Sequence, residues 1–223
     1  MKMDKINQNI IDIWDKYNVS ERVPLLYPDL KTETILFVGL NPSFSLKGFK
    51  KILKDTEYEK ELDSLDEFYS YRDFKKDKIK DYQNIEKYSR EKHPYFKRFH
   101  EISIFLNTGW EHVDLLLIRN TNQKDIEKLI KLHKDFINEQ ICLVIELIKM
   151  LNPKTVVIEN AFASKLIQDK LKLDFNNNYG TYLIDKKIPV FYSGMLTGGR
   201  ALDLGSLERL KWHIKYCIEK CKK

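Results

Sequence analysis

The feature that most constrains the fold is a set of short, continuously apolar runs separated by segments with helical periodicity. The runs ILFVG at 35–39, LLLI at 115–118 and TVVI at 155–158 lack the alternation of apolar and polar residues that a half-exposed strand shows. Strands buried on both faces have this composition, and they occur in parallel sheets that helices cover on either side. The pattern therefore predicts an α/β fold, a three-layer α/β/α sandwich around a central four-stranded, mostly parallel sheet.

The remaining pattern divides the chain into alternating strands and helices. Ile6, Ile10, Ile13, Trp14 and Tyr17 repeat at helical spacing and predict the first helix. Strands are predicted at 35–39, 113–121, 154–160 and at the end of 181–194. Helices are predicted over roughly 4–17, 93–107, 125–150 and 161–171, and in a last segment that Ser206 caps.

Length and composition predict one domain that carries an unusual insert. The chain has 223 residues, of which 43% are hydrophobic and 32% charged, enough apolar residues for one core. Residues 50–92 combine many Lys, Asp and Glu residues with scattered tyrosines and phenylalanines. This segment predicts one or two solvated surface helices or a mobile flap, and its functional interpretation is a lid.

Charge and cysteine content indicate which kind of partner and which cellular compartment to expect. The net charge of +6 favours an anionic partner such as nucleic acid. The number and spacing of the three cysteines do not fit a disulfide framework or a metal site; they are Cys142, Cys217 and Cys221. No apolar run approaches the length of a membrane span, and no signal peptide is recognisable. The expectation is a reduced, cytoplasmic monomer without a membrane anchor.

Several familiar cofactor and nucleophile motifs do not occur in the sequence. It contains no G-x-G-x-x-G after a strand, no Walker-type phosphate loop and no G-x-S-x-G nucleophile elbow. Histidine pairs with zinc-binding spacing are also missing. A reaction that needs neither cofactor nor metal is therefore expected.

Polar residues follow each predicted strand, where α/β proteins bind ligands. They are Asn41, Arg119, Asn120, Glu159, Asn160 and Ser193. Three of them have a simpler interpretation: Asn41, with Pro42, as a turn, Asn120 as a helix cap, and Glu159 as a hydrogen-bond partner of the backbone. Together they predict a site at one edge of the sheet.

Four segments in a fixed order resemble the uracil-DNA glycosylase superfamily. They are GLNPS at 39–43, LLLIRN at 115–120, PKTVVIENAFASKLI at 153–167 and VFYSGMLTGGRALDLGSLERLKWHI at 190–214. The first resembles the first motif of the mismatch-specific and single-strand-selective branches. The resemblance implies cleavage of the N-glycosidic bond of a nucleotide flipped out of DNA.

The resemblance also implies roles for individual residues. Asn41 would orient the attacking water, since a carbonyl oxygen suffices once the base departs and the sugar becomes an oxocarbenium-like cation. Gly39, Pro42 and Ser43 would shape the backbone near the phosphate and the base, and Ser193 would line the substrate site. Asn120 would read the base edge through paired hydrogen bonds. Tyr95 or Phe96 would supply the aromatic face that stacks on the base.

The last segment departs from the family pattern. The family's second motif, His-Pro-Ser or close to it, supplies a histidine that stabilises the departing base, and here Ser193-Gly194-Met195-Leu196 stands in its place. Arg200 is the first candidate replacement and Arg119 the second. Leu196 or Leu202 would be the apolar wedge that fills the gap in the duplex, and Arg200 would alternatively bind phosphate.

The expected function is a monofunctional DNA glycosylase, without the lyase step that a lysine Schiff base provides. The missing histidine and the insert favour a bulky modified pyrimidine, for example a hypermodified cytosine of bacteriophage DNA, which would make the protein a phage-defence enzyme. The alternatives are uracil excision in repair, an inactive DNA-binding protein on the same fold, and an enzyme acting on free nucleosides or nucleotides.

Overall fold

Buried apolar strands form the centre of the fold, as their unbroken hydrophobic composition predicts. The computed structural model describes residues 3–171, 173–199 and 201–221 and confirms the α/β class. Its strands are β1 (Ile35–Gly39), β2 (Trp110–Asp114), β3 (Thr155–Ile158), β4 (Asp174–Asn176), β5 (Thr181–Ile184) and β6 (Ile188–Tyr192).

The described strands form one sheet in the order β2-β1-β3-β6-β5-β4. β2, β1, β3 and β6 are parallel neighbours, whereas β4, β5 and β6 pair antiparallel. The predicted number of four strands is therefore wrong. The segment expected to end in one strand is a hairpin, because Asp185 and Lys186 adopt positive φ angles of 49° and 60°, the conformation of a tight hairpin turn.

The second strand is also shifted from its predicted range of 113–121. It ends at Asp114, and Leu115–Ile118 remain buried without joining the sheet. The Leu117 N–H donates to the Gln140 side chain (2.8 Å), and its carbonyl accepts from the Leu25 N–H (2.9 Å). These bonds satisfy the buried backbone of Leu117 without a neighbouring strand, whereas the Leu115 N–H still donates to the Gly39 carbonyl of β1 (3.0 Å).

Nine α-helices occur in the described part of the chain. They are α1 (Met3–Tyr17), α2 (Leu46–Leu53), α3 (Leu65–Phe68), α4 (Ile79–Lys92), α5 (Lys97–Phe105), α6 (Gln123–Leu132), α7 (Lys134–Leu151), α8 (Ala161–Leu171) and α9 (Leu204–Cys221). None of the helices within the described ranges has the length and hydrophobicity to cross a membrane.

Two helical predictions need correction. The single helix expected over 125–150 is broken at His133, whose ψ of 54° is not helical. The last helix begins at Leu204 rather than at Ser206. Asp203 provides its cap, because the Asp203 carboxylate accepts from the Ser206 N–H (2.9 Å) and from the Ser206 hydroxyl (2.6 Å).

The chain divides into two compact units. Unit 1 comprises the described residues of Met1–Leu30, Asn41–Pro94 and Leu116–Leu143. Unit 2 comprises those of Lys31–Leu40, Tyr95–Leu115 and Val144–Lys223, and it contains the whole sheet.

One hydrophobic cluster of unit 2 lies on one face of the sheet. Alternate residues of a strand point to the same face, and Phe37, Val157 and Phe191 pack there against Phe99 of α5 and Ile214 of α9. α8 contacts β3. One face of the sheet is therefore covered by α5 and α9, and the full three-layer arrangement stays a prediction.

The core of unit 1 is rich in aromatic residues from the segment 50–92. Tyr58, Tyr69 and Tyr82 are 8%, 0% and 2% exposed, so the prediction of a solvated surface is wrong for these rings. The Tyr69 ring centroid lies 5.1 Å from that of Phe49 and 5.3 Å from that of Tyr82. Burying several rings stabilises this segment as part of the unit rather than as an appendage.

Candidate active-site residues

The loop that follows β1 holds Asn41 in one orientation. The side-chain amide nitrogen of Asn41 donates to the backbone carbonyls of Asn120 (2.7 Å), Pro42 (3.2 Å) and Ile118 (3.2 Å). An amide can rotate to exchange its nitrogen and oxygen, but the reversed orientation would place oxygen against three carbonyl oxygens. The three acceptors therefore fix the carboxamide.

The orientation of Asn41 leaves its carboxamide oxygen as an acceptor. No group among the described residues donates to this oxygen. The side chain is half-buried, so it is neither sealed in the core nor fully solvated. A fixed carbonyl oxygen of this kind can orient a water molecule, although it cannot act as a strong base.

Further hydrogen bonds connect the loop at 41–44 to the loop at 118–122 within unit 1. The Asn120 N–H donates to the Pro42 carbonyl (3.0 Å). The Thr121 hydroxyl accepts from the Phe44 N–H (3.0 Å) and donates to the Phe44 carbonyl (2.7 Å). Asn41 is thus one of several links between the two loops, and Ser43 between them is exposed.

Asn120 is partly used for local structure. Its side-chain oxygen accepts from the Asn122 N–H (2.7 Å), and Asn122 in turn caps α6 by accepting from the Lys124 N–H (3.0 Å). The cap of α6 is therefore Asn122, and the interpretation of Asn120 as the cap is wrong, although its side chain holds the Asn122 backbone. Its amide nitrogen and the second lone pair of its oxygen remain for a ligand.

Arg119 occupies an environment that the sequence does not predict. The residue is 4% exposed, its guanidinium lies 2.6 Å from the Glu86 carboxylate, and it sits 4.7 Å from the centre of the Tyr69 ring. Glu86 and Tyr69 both belong to the segment 50–92. Because the positive charge is already paired in the interior of unit 1, Arg119 is a poor replacement for the missing histidine.

A second polar cluster lies in unit 2, beside the carboxyl end of β3. The Tyr95 hydroxyl donates to Glu159 Oε1. His112 Nε2 lies 3.5 Å from the same oxygen and 3.9 Å from Asp114 Oδ1. We call Tyr95, His112, Asp114 and Glu159 the acid cluster.

Burial dominates the electrostatics of the acid cluster. Glu159 is 3% exposed, and burial raises the pKa of its carboxyl to about 8, with the Tyr95 hydrogen bond acting in the opposite direction. Burial, followed by the nearby Glu159 charge, raises the pKa of the Tyr95 hydroxyl well above its usual range. Burial therefore favours the neutral, protonated form of the Glu159 carboxyl.

Gly39 gives the first motif a packing role. In the β1–β2 register, Gly39 pairs with Asp114 and Phe37 with His112. A Cβ atom on residue 39 would overlap Asp114 Oδ1 and would lie 2.9 Å from His112 Nε2. A glycine is required here because the acid cluster occupies the space of its side chain.

The acid cluster corrects one prediction and adds two residues. Among the described residues, the Glu159 carboxylate accepts from the Tyr95 hydroxyl and not from the backbone. His112 and Asp114 were not predicted, although their i, i+2 spacing in a strand places both on one face. Two polar residues on the inner face of an otherwise buried strand are the signal that sequence analysis could have used.

The remaining predicted site residues of unit 2 serve mainly in packing. Phe96 is 6% exposed and its ring lies 5.5 Å from that of Phe99, so it does not offer a free stacking face. Leu196 is completely buried in the core, which argues against its insertion into DNA. Leu202 is half-buried against the same core. The Ser193 hydroxyl donates to the Gly194 carbonyl (2.9 Å).

Arg200, the first predicted replacement for the histidine, lies outside the described residues. Within the described ranges, no group of three or more His, Cys, Asp or Glu side chains is arranged to hold a metal ion. The chain matches no protein-family model, and a search of curated proteins finds no significant relative.

Proposed function

We propose that the chain is a monofunctional DNA glycosylase that hydrolyses the N-glycosidic bond of a flipped-out, modified pyrimidine. The observation that carries this proposal is the fixed Asn41 carboxamide, whose nitrogen is held by three backbone carbonyls and whose oxygen is left as an acceptor. In the glycosylases that the GLNPS motif resembles, an asparagine at this position serves to orient water.

The proposed reaction needs little base strength from the protein. The C1′–N bond breaks first, its electron pair leaves with the base, and the sugar becomes an oxocarbenium-like cation. The water held by the Asn41 oxygen then adds to C1′ and loses a proton to solvent, and the departed base takes up a proton from solvent. Orientation is the main requirement of the second step, and a rigid amide supplies it.

A modified base is favoured over uracil for two reasons. Ser193-Gly194-Met195-Leu196 contains no histidine where the family's second motif has one, and the charge of Arg119 is paired with Glu86. The described residues therefore do not include the histidine that would donate a hydrogen bond to a departing uracil anion, or a free cation in its place. Hypermodified cytosines of bacteriophage DNA belong to the proposed class, and such a substrate would make the chain a phage-defence protein.

An inactive DNA-binding protein is the second candidate function. The specific observation in its favour is that Asn120 and Arg119 already have intramolecular partners, the Asn122 N–H and the Glu86 carboxylate. Base reading through Asn120 would then be limited to its free donor and one lone pair. Such a protein would bind DNA without forming abasic sites.

A substrate panel tests the proposal. Duplex and single-stranded oligonucleotides would carry uracil, a thymine mismatch, hydroxymethylcytosine or glucosylated hydroxymethylcytosine. Alkaline cleavage would detect abasic sites, and mass spectrometry would identify the freed base. We expect release of a modified cytosine. Release of uracil alone would overturn the modified-base assignment, and DNA binding without any release would favour the inactive binder.

Two variants separate chemistry from loop structure in the same assay. Asn41→Asp replaces the amide nitrogen by an oxygen that faces three carbonyl oxygens, so we expect loss of the fixed geometry together with activity. Thr121→Val removes the Phe44 bonds but leaves Asn41 unchanged. If Asn41 acts on water, Thr121→Val should retain most base release. Equal loss in both variants would indicate that the loops matter only structurally.

A further inference from the structure

The exposed face of α9 carries two aromatic side chains one helical turn apart. Trp212 is 57% exposed and Tyr216 is 48% exposed. Because they are four residues apart, they lie on the same side of the helix, about 6 Å apart along its axis. Adjacent large rings that are exposed to solvent are typical of a binding surface.

Lysines lie over these rings. Lys215 Nζ is 5.0 Å from the centre of the Trp212 ring. Lys220 Nζ is 5.1 Å from the centre of the Tyr216 ring and 5.4 Å from that of Tyr179. Each exposed ring is therefore accompanied by a cation within the range of a cation–π contact.

The surface extends to the end of α5 within the same unit. The Phe105 and Trp212 rings meet edge to face at 5.1 Å. Lys211 Nζ lies 4.6 Å and Lys215 Nζ 5.7 Å from the centre of the Phe105 ring. We call Phe105, Lys211, Trp212, Lys215, Tyr216 and Lys220 the α9 surface.

The charge of the α9 surface is only partly neutralised. Lys211 pairs with Glu208 at 2.6 Å. In contrast, no carboxylate of the described residues forms an ion pair with Lys215 or Lys220. Lys220 donates instead to the Asn178 carbonyl (3.0 Å) and to the Tyr216 hydroxyl (2.7 Å). Two cations therefore remain available to an anionic ligand.

We infer that the α9 surface binds single-stranded nucleic acid, with bases stacked on Trp212 and Tyr216 and phosphates paired with Lys215 and Lys220. Alternating cations and exposed rings match a strand whose phosphates and bases also alternate. A duplex hides its base faces, and an acidic peptide would use the lysines but not the rings. This binding does not involve Asn41, so it stands whether or not the chain is a glycosylase.

Fluorescence anisotropy of a labelled, unmodified oligothymidylate with the full chain tests the inference. Stacking of one base is worth about 1–3 kcal/mol, so we expect Trp212→Ala and Tyr216→Ala each to raise Kd about 5- to 150-fold. Trp212→Phe keeps a stacking face and should recover much of the affinity. Binding should also quench the fluorescence of Trp212, which is more exposed than the buried Trp14.

Charge-matched variants separate the α9 surface from general attraction. Lys215→Gln should weaken binding and reduce its salt dependence. Lys131→Gln removes the same charge from an exposed position of α6 and should have a smaller effect. The variants lie on the surface, and thermal unfolding would confirm that they fold.

Unchanged affinity of Trp212→Ala would overturn the inference. Duplex DNA that binds as tightly as the single strand would also overturn it. The same holds if polyglutamate displaces the oligothymidylate equally well from wild type and from Trp212→Ala. Base release is measured separately on modified substrates, so failure of the α9 surface and failure of the proposed glycosylase are distinguishable.

Discussion

The two units bury ionisable side chains in opposite ways. In unit 1, Arg119 is paired with Glu86 at 2.6 Å beneath an aromatic ring. In unit 2, Glu159 lies near a second acid and His112, and burial raises the pKa of its carboxyl to about 8. One unit cancels a buried charge with an opposite charge, and in the other burial favours the neutral form of a carboxyl.

The difference has consequences for pH and for mutation. A pair of opposite charges remains paired over a wide pH range, but removal of one partner leaves the other in a poorly solvated place. A protonated carboxyl needs no counter-ion, but its contribution to the free energy of unfolding falls as the pH rises towards its pKa in the folded protein. The units should therefore respond differently to a charge deletion and to a pH change.

The largest effect is expected from breaking the pair in unit 1. Glu86→Gln keeps the shape of the side chain but removes the charge that faces Arg119. Breaking a buried pair by removing one partner costs about 3–5 kcal/mol. Urea denaturation would measure the free energy of unfolding. Glu208→Gln, which breaks the more exposed pair with Lys211, should cost less than about 1 kcal/mol. Similar losses in both variants would contradict the buried-pair interpretation.

A pH effect is expected from unit 2. The Glu159 pKa rises from its ordinary value of 4.5 to about 8 in the folded protein. The stabilisation is thus complete below pH 4.5 and is lost as the pH rises through 8, because the unfolded chain releases the proton first. Relative to Glu159→Gln, the wild-type free energy of unfolding should fall by about 1.4 kcal/mol per pH unit in this window.

The control for this pH dependence is Glu146→Gln, which changes an exposed carboxylate and should keep the wild-type slope. Parallel pH profiles for wild type and Glu159→Gln would show that Glu159 is not protonated in the folded protein. The claim that unit 2 keeps its buried carboxyl neutral would then be wrong.

Crowding of the acid cluster predicts a smaller loss. Gly39→Ala introduces a Cβ atom that overlaps Asp114 Oδ1, and overpacking of this kind costs about 1–3 kcal/mol. In an Asp114→Ala background the added methyl group has more room, so the same substitution should cost less. A double-mutant cycle of unfolding free energies measures this coupling. Additive effects would mean that Gly39 is needed for another reason.

The smallest effect tests the aromatic core of unit 1. The Tyr69 hydroxyl is buried and has no hydrogen-bond partner among the described residues, so Tyr69→Phe should be neutral or stabilising by up to about 1 kcal/mol. Tyr82→Phe is the matched control, because the Tyr82 hydroxyl donates to the Phe68 carbonyl at 2.7 Å. We expect it to destabilise by about 1 kcal/mol. Destabilisation of both variants alike would indicate that Tyr69 also has a partner.

The bounds of elements that depend mainly on their own local sequence were predicted correctly. The first helix and the strands β1 and β3 lie within two residues of their predicted bounds, since each has an uninterrupted periodic or apolar sequence. The end of β2 was not predictable, because the buried Leu117 backbone bonds to Gln140, which lies 23 positions away. No local pattern carries that information.

The candidate site divides in the same way. Asn41 stands out in the sequence because it follows a buried strand within a motif. The acid cluster does not, because it depends on the register of β1 against β2 and on Tyr95 and Glu159, which are 64 positions apart. Likewise, the pairing of Arg119 with Glu86 requires the segment 50–92 to fold into unit 1.

The most direct test is single-turnover base release by Asn41→Ala and Asn122→Ala on whichever panel substrate wild type cleaves. Loss of a positioning or stabilising group is often worth about 2.7–4 kcal/mol, so we expect Asn41→Ala to be about 10²–10³-fold slower. Asn122→Ala loses only a helix cap, worth about 1 kcal/mol of stability, and should retain its rate. A wild-type rate in Asn41→Ala, or no base release by the wild-type protein, would contradict the account.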